Sequence, residues 1–251
     1  MKGHKLEAVS ASKIYTFEQC IDEDHYLAEY SPIDIPVEKN NKRYLGIISH
    51  EILSNFLKGS MTTIDRNSTE KLFLDIIKKN NYYFDDNYLI KREGTEFIYR
   101  NIKVLNNLKN FIEKNNLSTT SELTYPTSPP FYGQADIVLR DNNQSIIIDY
   151  KTGKVYDEGK NISKTIQRQL MAYCYLELIN NNQNLSISAF VLNKEGSLLP
   201  VDDCNRENID GYKNKILKNI DEFNNKYQKI HSSSFYCNEC KQTWVGRFTD
   251  I

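Results

Sequence analysis

Two aspartates and a lysine have the residue types and the spacing that most clearly suit chemistry in this sequence. Asp136 and Asp149 each lie at the edge of a short apolar run, and Lys151 follows two positions after Asp149. Carboxylate oxygens are ligands that Mg²⁺ and Mn²⁺ favour, and a bound cation keeps neighbouring carboxylates ionised. A lysine beside such an ion could stabilise a pentavalent phosphate, or orient and deprotonate a water. The three residues therefore suggest metal-assisted phosphodiester hydrolysis.

A β-hairpin is predicted to bring these residues together. Residues 133–154 read GQADIVLRDNNQSIIIDYKTGK, with two apolar runs on either side of a polar turn. If Asn142 and Asn143 form a two-residue loop, the pairs that follow from this turn place Asp136 directly opposite Asp149. The Cβ atoms of such a pair are about 4.5–5.5 Å apart. Because side chains alternate along a strand, Lys151 shares the face of Asp149. The other face is predicted to be apolar and comprises Ala135, Ile137, Leu139, Ile146 and Ile148. A surface hairpin with incidental charges is the alternative for this stretch alone.

One histidine precedes the hairpin on a predicted helix. Apolar residues recur at helical spacing over residues 43–58, and His50 lies among them. The pair His50-Glu51 does not begin the zinc-protease pattern H-E-x-x-H, because Ser54 stands where the second histidine is required. A lone histidine is more often a packed or exposed side chain than a metal ligand.

The order of the motifs resembles the RecB-like branch of the PD-(D/E)XK nucleases. The pattern is G-x-x-D, then an apolar strand ending in D-Y-K-T-G-K, then Q-L-x-x-Y on a helix. It is carried by Gly133 and Asp136, by residues 149–154, and by Gln169, Leu170 and Tyr173. The resemblance extends over about residues 10–240. It implies an α/β protein with a restriction-endonuclease-like core, in which a central mixed sheet is flanked by helices.

The resemblance and the apolar patterns together divide the chain into three parts that form one compact unit. Residues 1–118 are an N-terminal helical lobe that contributes His50, 119–200 are the nuclease core, and 201–251 are a C-terminal helix and a cysteine-containing tail. A helix capped by Ser10 or Ser12 is predicted near the start. The other predicted helices cover residues 43–58, 68–80, 96–115, 162–180 and 209–230, and the other predicted strands cover 121–125 and 185–193.

The family also implies a role for individual residues. Asp136, Asp149, His50 and the carbonyl of Tyr150 would bind the metal, and the histidine would favour Mn²⁺ somewhat over Mg²⁺. Lys151 would activate the water or stabilise the transition state. Two residues that share one face of a helix would support it, namely Gln169 and Tyr173; an ordinary helix surface is the alternative for that pair. Glu122 stands where the family carries an acidic residue, and could be either a supporting group or an exposed strand charge.

Any contact with nucleic acid must come from a local patch of cations. The formal net charge is −1 and the isoelectric point is near 6.4, so the chain has no overall basic field. Lys154, Lys164 and Arg168 lie beside the predicted site and could contact phosphates. The expected partner is DNA, as single strands or ends.

The cysteines pose a separate question. In many RecB-like nucleases one N-terminal and three C-terminal cysteines hold a [4Fe–4S] cluster, and Cys20, Cys237 and Cys240 match three of those places. No fourth cysteine follows the C-x-x-C, and a cluster usually needs four thiolates. Cys204 or His231 could complete a Zn²⁺ or cluster site. Neither a cluster nor zinc is favoured. Cys174 is predicted to be a buried apolar residue.

The function expected from the residues and the resemblance is a metal-dependent DNA exonuclease that acts in recombination, repair, or phage or CRISPR DNA processing. Two alternatives remain: a nuclease subunit that is active only with a recombination or CRISPR-adaptation partner, and a non-catalytic DNA-binding or interaction module. No apolar run is long enough for a membrane span and no secretory signal opens the chain, so a cytoplasmic location is expected.

Overall fold

The computed structural model describes residues 4–22, 27–29, 42–85, 87–181, 184–226, 234–237 and 242–250. Its helices, with a short 3₁₀ turn at Ala11–Lys13 before the first, are α1 Ile14–Asp22, α2 Lys42–Leu57, α3 Arg66–Asn80, α4 Arg92–Asn115, α5 Lys164–Asn180 and α6 Arg206–Lys226. Its strands are β1 His4–Ser10, β2 Leu27–Glu29, β3 Ser118–Ser128, β4 Phe131–Arg140, β5 Gln144–Lys151, β6 Ser186–Asn193, β7 Leu198–Pro200, β8 Ser234–Cys237 and β9 Gln242–Asp250.

One mixed sheet includes every strand of the described residues. The strand order is β2-β8-β9-β1-β4-β5-β6-β7, and β3 pairs with β4 beside this path. β4 and β5 form the antiparallel hairpin, whereas β5 and β6 are parallel and are connected through α5. The chain is therefore an α/β protein with a mixed sheet flanked by helices, as the sequence predicts.

The sheet separates two apolar cores. One contains residues from α1, α5 and α6, such as Phe17, Leu170 and Phe223. The other contains residues from α2, α3 and α4, such as Ile52 and Phe73. α2, α3 and α4 thus cover one face of the central hairpin, and α5 covers the other. Both faces of β5 are buried, which is why its run of three isoleucines is uninterrupted.

A buried ionic cluster fixes α5 to the hairpin. The Glu177 side chain is 1% exposed and accepts two hydrogen bonds from Arg140, at 2.7 and 2.8 Å. It also accepts from the Tyr125 hydroxyl at 2.7 Å, the Ser145 hydroxyl at 2.8 Å and the Asn181 amide at 2.7 Å. Five donors therefore satisfy one buried carboxylate, and they connect α5 to β3, β4 and β5.

The sequence predicted the central elements well and the edge of the sheet poorly. α2 to α6, β3 and β6 lie within a few residues of the predicted bounds. The structure adds β1, β2, β7, β8 and β9, none of which the sequence indicated. The expected cysteine-containing tail contributes β8 and β9, and β9 pairs with β1 from the opposite end of the chain. Among the described helices none is both long enough and apolar enough to span a membrane.

Candidate active site

Asp136 lies where strand pairing is irregular on both edges of β4. On the β3 edge, Ser121 pairs with Ile137 and Leu123 pairs with Ala135, so Glu122 between them has no regular partner. Glu122 has a φ of 52°, a left-handed conformation that is uncommon for a residue other than glycine. On the β5 edge, the paired register ends at Ile137 and Ile148, one position before the two aspartates.

This irregularity directs the Asp136 carboxylate toward the end of β5. Its Oδ2 accepts a hydrogen bond of 2.8 Å from the backbone N–H of Tyr150, and its Oδ1 lies 3.5 Å from His50 Nδ1. The hairpin register matches the predicted one from Arg140 to Ile137. The prediction that Ala135 shares the core face of Ile137 is wrong, because the two residues pack in different cores. The break in alternation at Asp136 is the physical reason.

Asp149 is a buried carboxylate, and one lysine offsets only part of the cost of burying its charge. The residue is 2% exposed, and Lys151 Nζ lies 2.8 Å from its Oδ2. This ion pair is the one contact of the buried oxygen with a donor among the described residues, and no other hydrogen bond satisfies it. Burial raises the pKa of Asp149 to about 6, although the Lys151 charge opposes that rise. A carboxylate held in this way is typical of a functional site.

Lys151 is held in place by α5. The Gln169 side chain accepts a hydrogen bond of 3.0 Å from Lys151 Nζ through its Oε1. Its Nε2 donates in turn to the Tyr173 hydroxyl at 3.2 Å. Gln169 and Tyr173 are 7% and 4% exposed, so they are not ordinary helix-surface residues. Both ends of the Gln169 amide are engaged, which fixes the direction from which the lysine can approach Asp149.

Gly133 provides the space for the Tyr173 ring. A Cβ at this position would lie 2.9 Å from Tyr173 Cε1 and 3.2 Å from the Ala11 Cβ. We expect Gly133→Ala to displace the ring and, through Gln169, the lysine, and to lower any DNA cleavage about tenfold, with a loss of about 1–3 kcal/mol in stability. Gly153→Ala is the matched control, because nothing lies within 4 Å of its Cβ position. Equal nuclease rates for the two variants would contradict this account.

α2 brings His50 to the same end of the hairpin. The His50 ring lies 5.0 Å from the Tyr150 ring, centroid to centroid, and beside Asp136. Burial acts to lower the pKa of His50, but the hydrogen bond and charge of Asp136 outweigh it and the pKa is raised. His50, which the family resemblance assigned to the site and helical periodicity placed on a helix, therefore lies beside Asp136.

Glu122 connects α2 to β3 rather than reaching the two aspartates. Its Oε2 accepts a hydrogen bond of 2.7 Å from Ser54 Oγ and another from Lys58 Nζ. The Lys58 hydrogen bond is the main reason that the pKa of Glu122 lies below its ordinary value. Ser54 lies one helical turn after His50 on α2, and Lys58 directly follows the end of that helix. The sequence did not single out these two residues, although the four-residue spacing from His50 to Ser54 could have indicated the first.

The residues present fit a hard divalent cation in chemistry but are not assembled around one. Two aspartates, a histidine and a backbone carbonyl are suitable donors for Mg²⁺ or Mn²⁺. Asp149 Oδ2 supplies an oxygen that is already desolvated and whose one neighbouring donor among the described residues is Lys151. Within the described part of the chain, however, no three His, Cys, Asp or Glu side chains already form a metal-binding group. His50 and Asp136 instead contact each other.

The burial of Asp149 has a consequence for stability without metal. Its pKa is about 6 when folded and near 3.8 when unfolded, so the native state binds more protons between those values and stability falls as pH rises through that window. In EDTA at pH 8, we expect Asp149→Asn to raise the melting temperature by about 2–4 °C. Asp75→Asn, at an exposed position of α3, is the control. A lower melting temperature for Asp149→Asn than for that control would refute the interpretation.

The three predicted DNA-contacting cations differ in their surroundings. Lys154 and Lys164 are exposed. Arg168 instead lies with its guanidinium carbon 4.6 Å from the centre of the Tyr212 ring, and its Nε is 3.8 Å from Glu18. Glu18 is itself buried and accepts hydrogen bonds of 2.8 Å from both the Tyr212 hydroxyl and Lys215. Arg168 therefore takes part in joining α1, α5 and α6, which the sequence did not reveal.

The structure describes only some of the cysteines for which the sequence made a prediction. The side chains of Cys20 and Cys237, and the whole of Cys240 and His231, lie outside the described residues. Cys174 is fully buried in the core, as predicted, and is a free cysteine. Burial raises the pKa of the Cys174 thiol, and the nearby Cys204 adds to that rise. Cys204 is likewise free and buried in the same core.

The mixed sheet flanked by helices, with acidic residues and a lysine at the end of its central hairpin, is the restriction-endonuclease-like arrangement. Residues 8–245 match the model of the PD-(D/E)XK nuclease superfamily, and the chain belongs to that superfamily. No curated protein matches the chain. A crystal structure of protein VC1899 from Vibrio cholerae is similar at 15% identity and a TM-score of 0.29, with 74% of this chain and 58% of that chain covered. The chain thus spans somewhat more than half the length of that protein.

Proposed function

We propose that this protein is a RecB-like, metal-dependent DNA exonuclease that acts in DNA recombination, repair, or phage or CRISPR DNA processing. The observation that carries the proposal is the Asp149 carboxylate, which is buried and whose Oδ2 has Lys151, at 2.8 Å, as its one neighbouring donor among the described residues. Burial of this carboxylate is unfavourable for folding, and the Lys151 charge offsets that cost only in part, since the pKa of Asp149 is still raised. A metal ion and a phosphate explain why the chain retains it.

The residues of the candidate site would have different roles in phosphodiester hydrolysis. Asp149, Asp136, His50 and the Tyr150 carbonyl would hold one divalent ion. That ion, when bound, lowers the pKa of a coordinated water and offsets negative charge on the phosphate. Lys151 places its ammonium beside Asp149, where it can donate to a phosphate oxygen or to the attacking water.

Two groups of residues support this centre. Gln169, held by Tyr173, prevents the lysine from turning into solvent. Glu122, through Ser54 and Lys58, holds the helix that carries His50 against β3. Beyond the centre, the exposed Lys154 and Lys164 would contact the phosphates of the substrate strand.

The proposal is tested by incubating the protein with end-labelled linear DNA and with closed circular single-stranded DNA, each in Mg²⁺, Mn²⁺ or EDTA. We expect the linear strand to be shortened from an end in either metal, the circle to survive, and EDTA to abolish cleavage. Cleavage of the circle would exclude an exonuclease but retain a nuclease. No cleavage of either substrate in any metal would overturn the autonomous enzyme.

A further inference from the structure

A cavity of about 430 Å³ lies directly behind the candidate active site. Its wall includes Tyr150 and Thr152, which flank Lys151, and Ser49, which precedes His50. The Tyr150 ring therefore contacts His50 and also forms part of the cavity wall. The volume falls within the range of small-molecule binding sites, about 300–1,000 Å³. Any group bound in this cavity would lie next to the catalytic strand end.

Two deeply buried polar side chains line the cavity without full hydrogen bonding. Asn101 is 3% exposed; its amide nitrogen donates 2.9 Å to the Phe97 carbonyl, but its amide oxygen has no partner among the described residues. Tyr88 is 4% exposed, and its hydroxyl likewise has no hydrogen bond within the described part of the chain. Burial raises the pKa of Tyr88 to about 12, so the hydroxyl stays protonated and can donate. Neither oxygen is among the fully buried atoms without a partner, so both are accessible from the cavity and could bond to a polar group bound there.

The rest of the wall fits a flat aromatic ligand that carries negative charge outside the cavity. The rings of Phe97 and Tyr150 provide apolar surface. Glu93 lies on the same wall and can accept hydrogen bonds from an amino group, as carboxylates do from bases. Three cations with exposed charged ends also line it, namely Lys42, Arg100 and Lys194. Asn101 and Tyr88 are buried, whereas Glu93 and these cations are exposed or half-exposed, and Arg100 lies 3.5 Å from Glu96, which also lines the cavity.

We propose that this cavity binds one unpaired base of the DNA strand, next to the phosphate that is cut. The inference rests on the proposed function, because it assigns the cavity to the same substrate. The base would lie against Phe97 and Tyr150, with Asn101, Tyr88 and Glu93 at its polar edge. Its phosphate would lie among the outer cations. Such a pocket admits a base only when it is unpaired, and this selects single-stranded or frayed ends.

The test measures DNA binding in EDTA, where cleavage does not occur. Short fluorescent single-stranded oligonucleotides are compared with versions that lack the base at one position in turn. We expect one position at which removal of the base weakens binding about tenfold to wild type. Tyr88→Phe and Asn101→Leu should each weaken binding of the complete strand five- to tenfold, and should abolish the penalty for the missing base. Tyr99→Phe, on an exposed face of α4, should leave both quantities unchanged.

The outcomes separate this inference from the proposed function. If every missing base has the same effect on wild type as on both variants, only phosphates are bound and the pocket proposal is overturned. Tyr88→Phe removes a single oxygen and keeps the ring, so it remains informative if Asn101→Leu does not fold. If the protein cleaves DNA with metal but removal of a base weakens binding at no position, the pocket proposal is refuted and the nuclease proposal stands. If removal of one base weakens binding but no metal supports cleavage, the nuclease proposal is refuted and the pocket proposal stands.

Discussion

Replacing Lys151 by methionine is expected to lower metal-dependent DNA cleavage by about 10²–10⁴-fold. Methionine keeps most of the length and apolar surface of the lysine but removes the ammonium that lies 2.8 Å from Asp149 and 3.0 Å from the Gln169 oxygen. No other cation in the described residues lies so close to the buried carboxylate. The rate of cleavage is measured at saturating DNA and metal, so that weaker binding does not account for the loss.

Lys154→Met is the matched control for that experiment. Lys154 is exposed and three positions further along the chain, and it should contribute only a phosphate contact. We expect it to weaken DNA binding severalfold, with an effect that vanishes at high salt, and to leave the maximal rate nearly unchanged. If Lys151→Met cleaves as fast as Lys154→Met at saturation, Lys151 does not take part in the chemistry.

Glu177→Gln is expected to destabilise the fold by about 3–5 kcal/mol, which is the effect of breaking a buried ion pair. Glutamine has nearly the same shape, but it cannot accept the paired hydrogen bonds of Arg140 with the strength of a carboxylate. Urea unfolding at pH 7 gives the free energy. The control is Glu113→Gln on α4, whose side chain is 63% exposed and 3.8 Å from Lys109; it should change stability by less than about 1 kcal/mol.

The same cluster predicts a dependence on pH. Burial acts to raise the pKa of Glu177, but hydrogen bonds from Arg140, Tyr125 and Ser145 outweigh it and the pKa is lowered. A carboxyl group with a lowered folded pKa contributes stability above its unfolded pKa, and this contribution is lost as pH falls through the folded value. Wild type should therefore lose stability below about pH 4.5 more steeply than Glu177→Gln. Parallel curves for the two proteins would contradict the assignment.

Local sequence patterns were enough to predict the central hairpin. The asparagine turn and the alternation of apolar residues predicted the register between Ile137–Arg140 and residues 145–148, which the structure reproduces. The helical spacing of apolar residues predicted the helix of His50, and the four-residue spacing predicted a shared face for Gln169 and Tyr173. These features depend on neighbours within one turn or one hairpin, so the sequence alone defines them.

The features that the sequence did not reveal depend on distant residues. Glu122 has a left-handed backbone beside Asp136, where the alternation of β4 breaks, and nothing in residues 119–125 indicates it. β1 and β9 pair although they lie near opposite ends of the sequence, and neither strand has a long alternating pattern. Arg168 is engaged by Glu18, 150 residues earlier in the sequence. Long-range pairing of this kind leaves little local signal.

The structure describes one of the two predicted metal sites, at the hairpin, but not the side chains of the other, at the cysteines. The hairpin aspartates and His50 were predicted from motif order, and the structure brings them to one end of the sheet. Their arrangement around an ion remains a prediction, because His50 and Asp136 contact each other in the described structure. The [4Fe–4S] or Zn²⁺ site at Cys20, Cys237 and Cys240 falls on side chains outside the described residues.

The most direct test of the central claim compares wild type with Asp149→Asn in the cleavage of labelled single-stranded DNA with Mg²⁺, Mn²⁺ or EDTA. Asp75→Asn is the control for the loss of one surface charge. The account predicts cleavage by wild type and by Asp75→Asn in either metal, none in EDTA, and a loss of at least about 10³-fold in Asp149→Asn although that variant remains folded. Full activity of Asp149→Asn, or cleavage that persists in EDTA, would contradict the account.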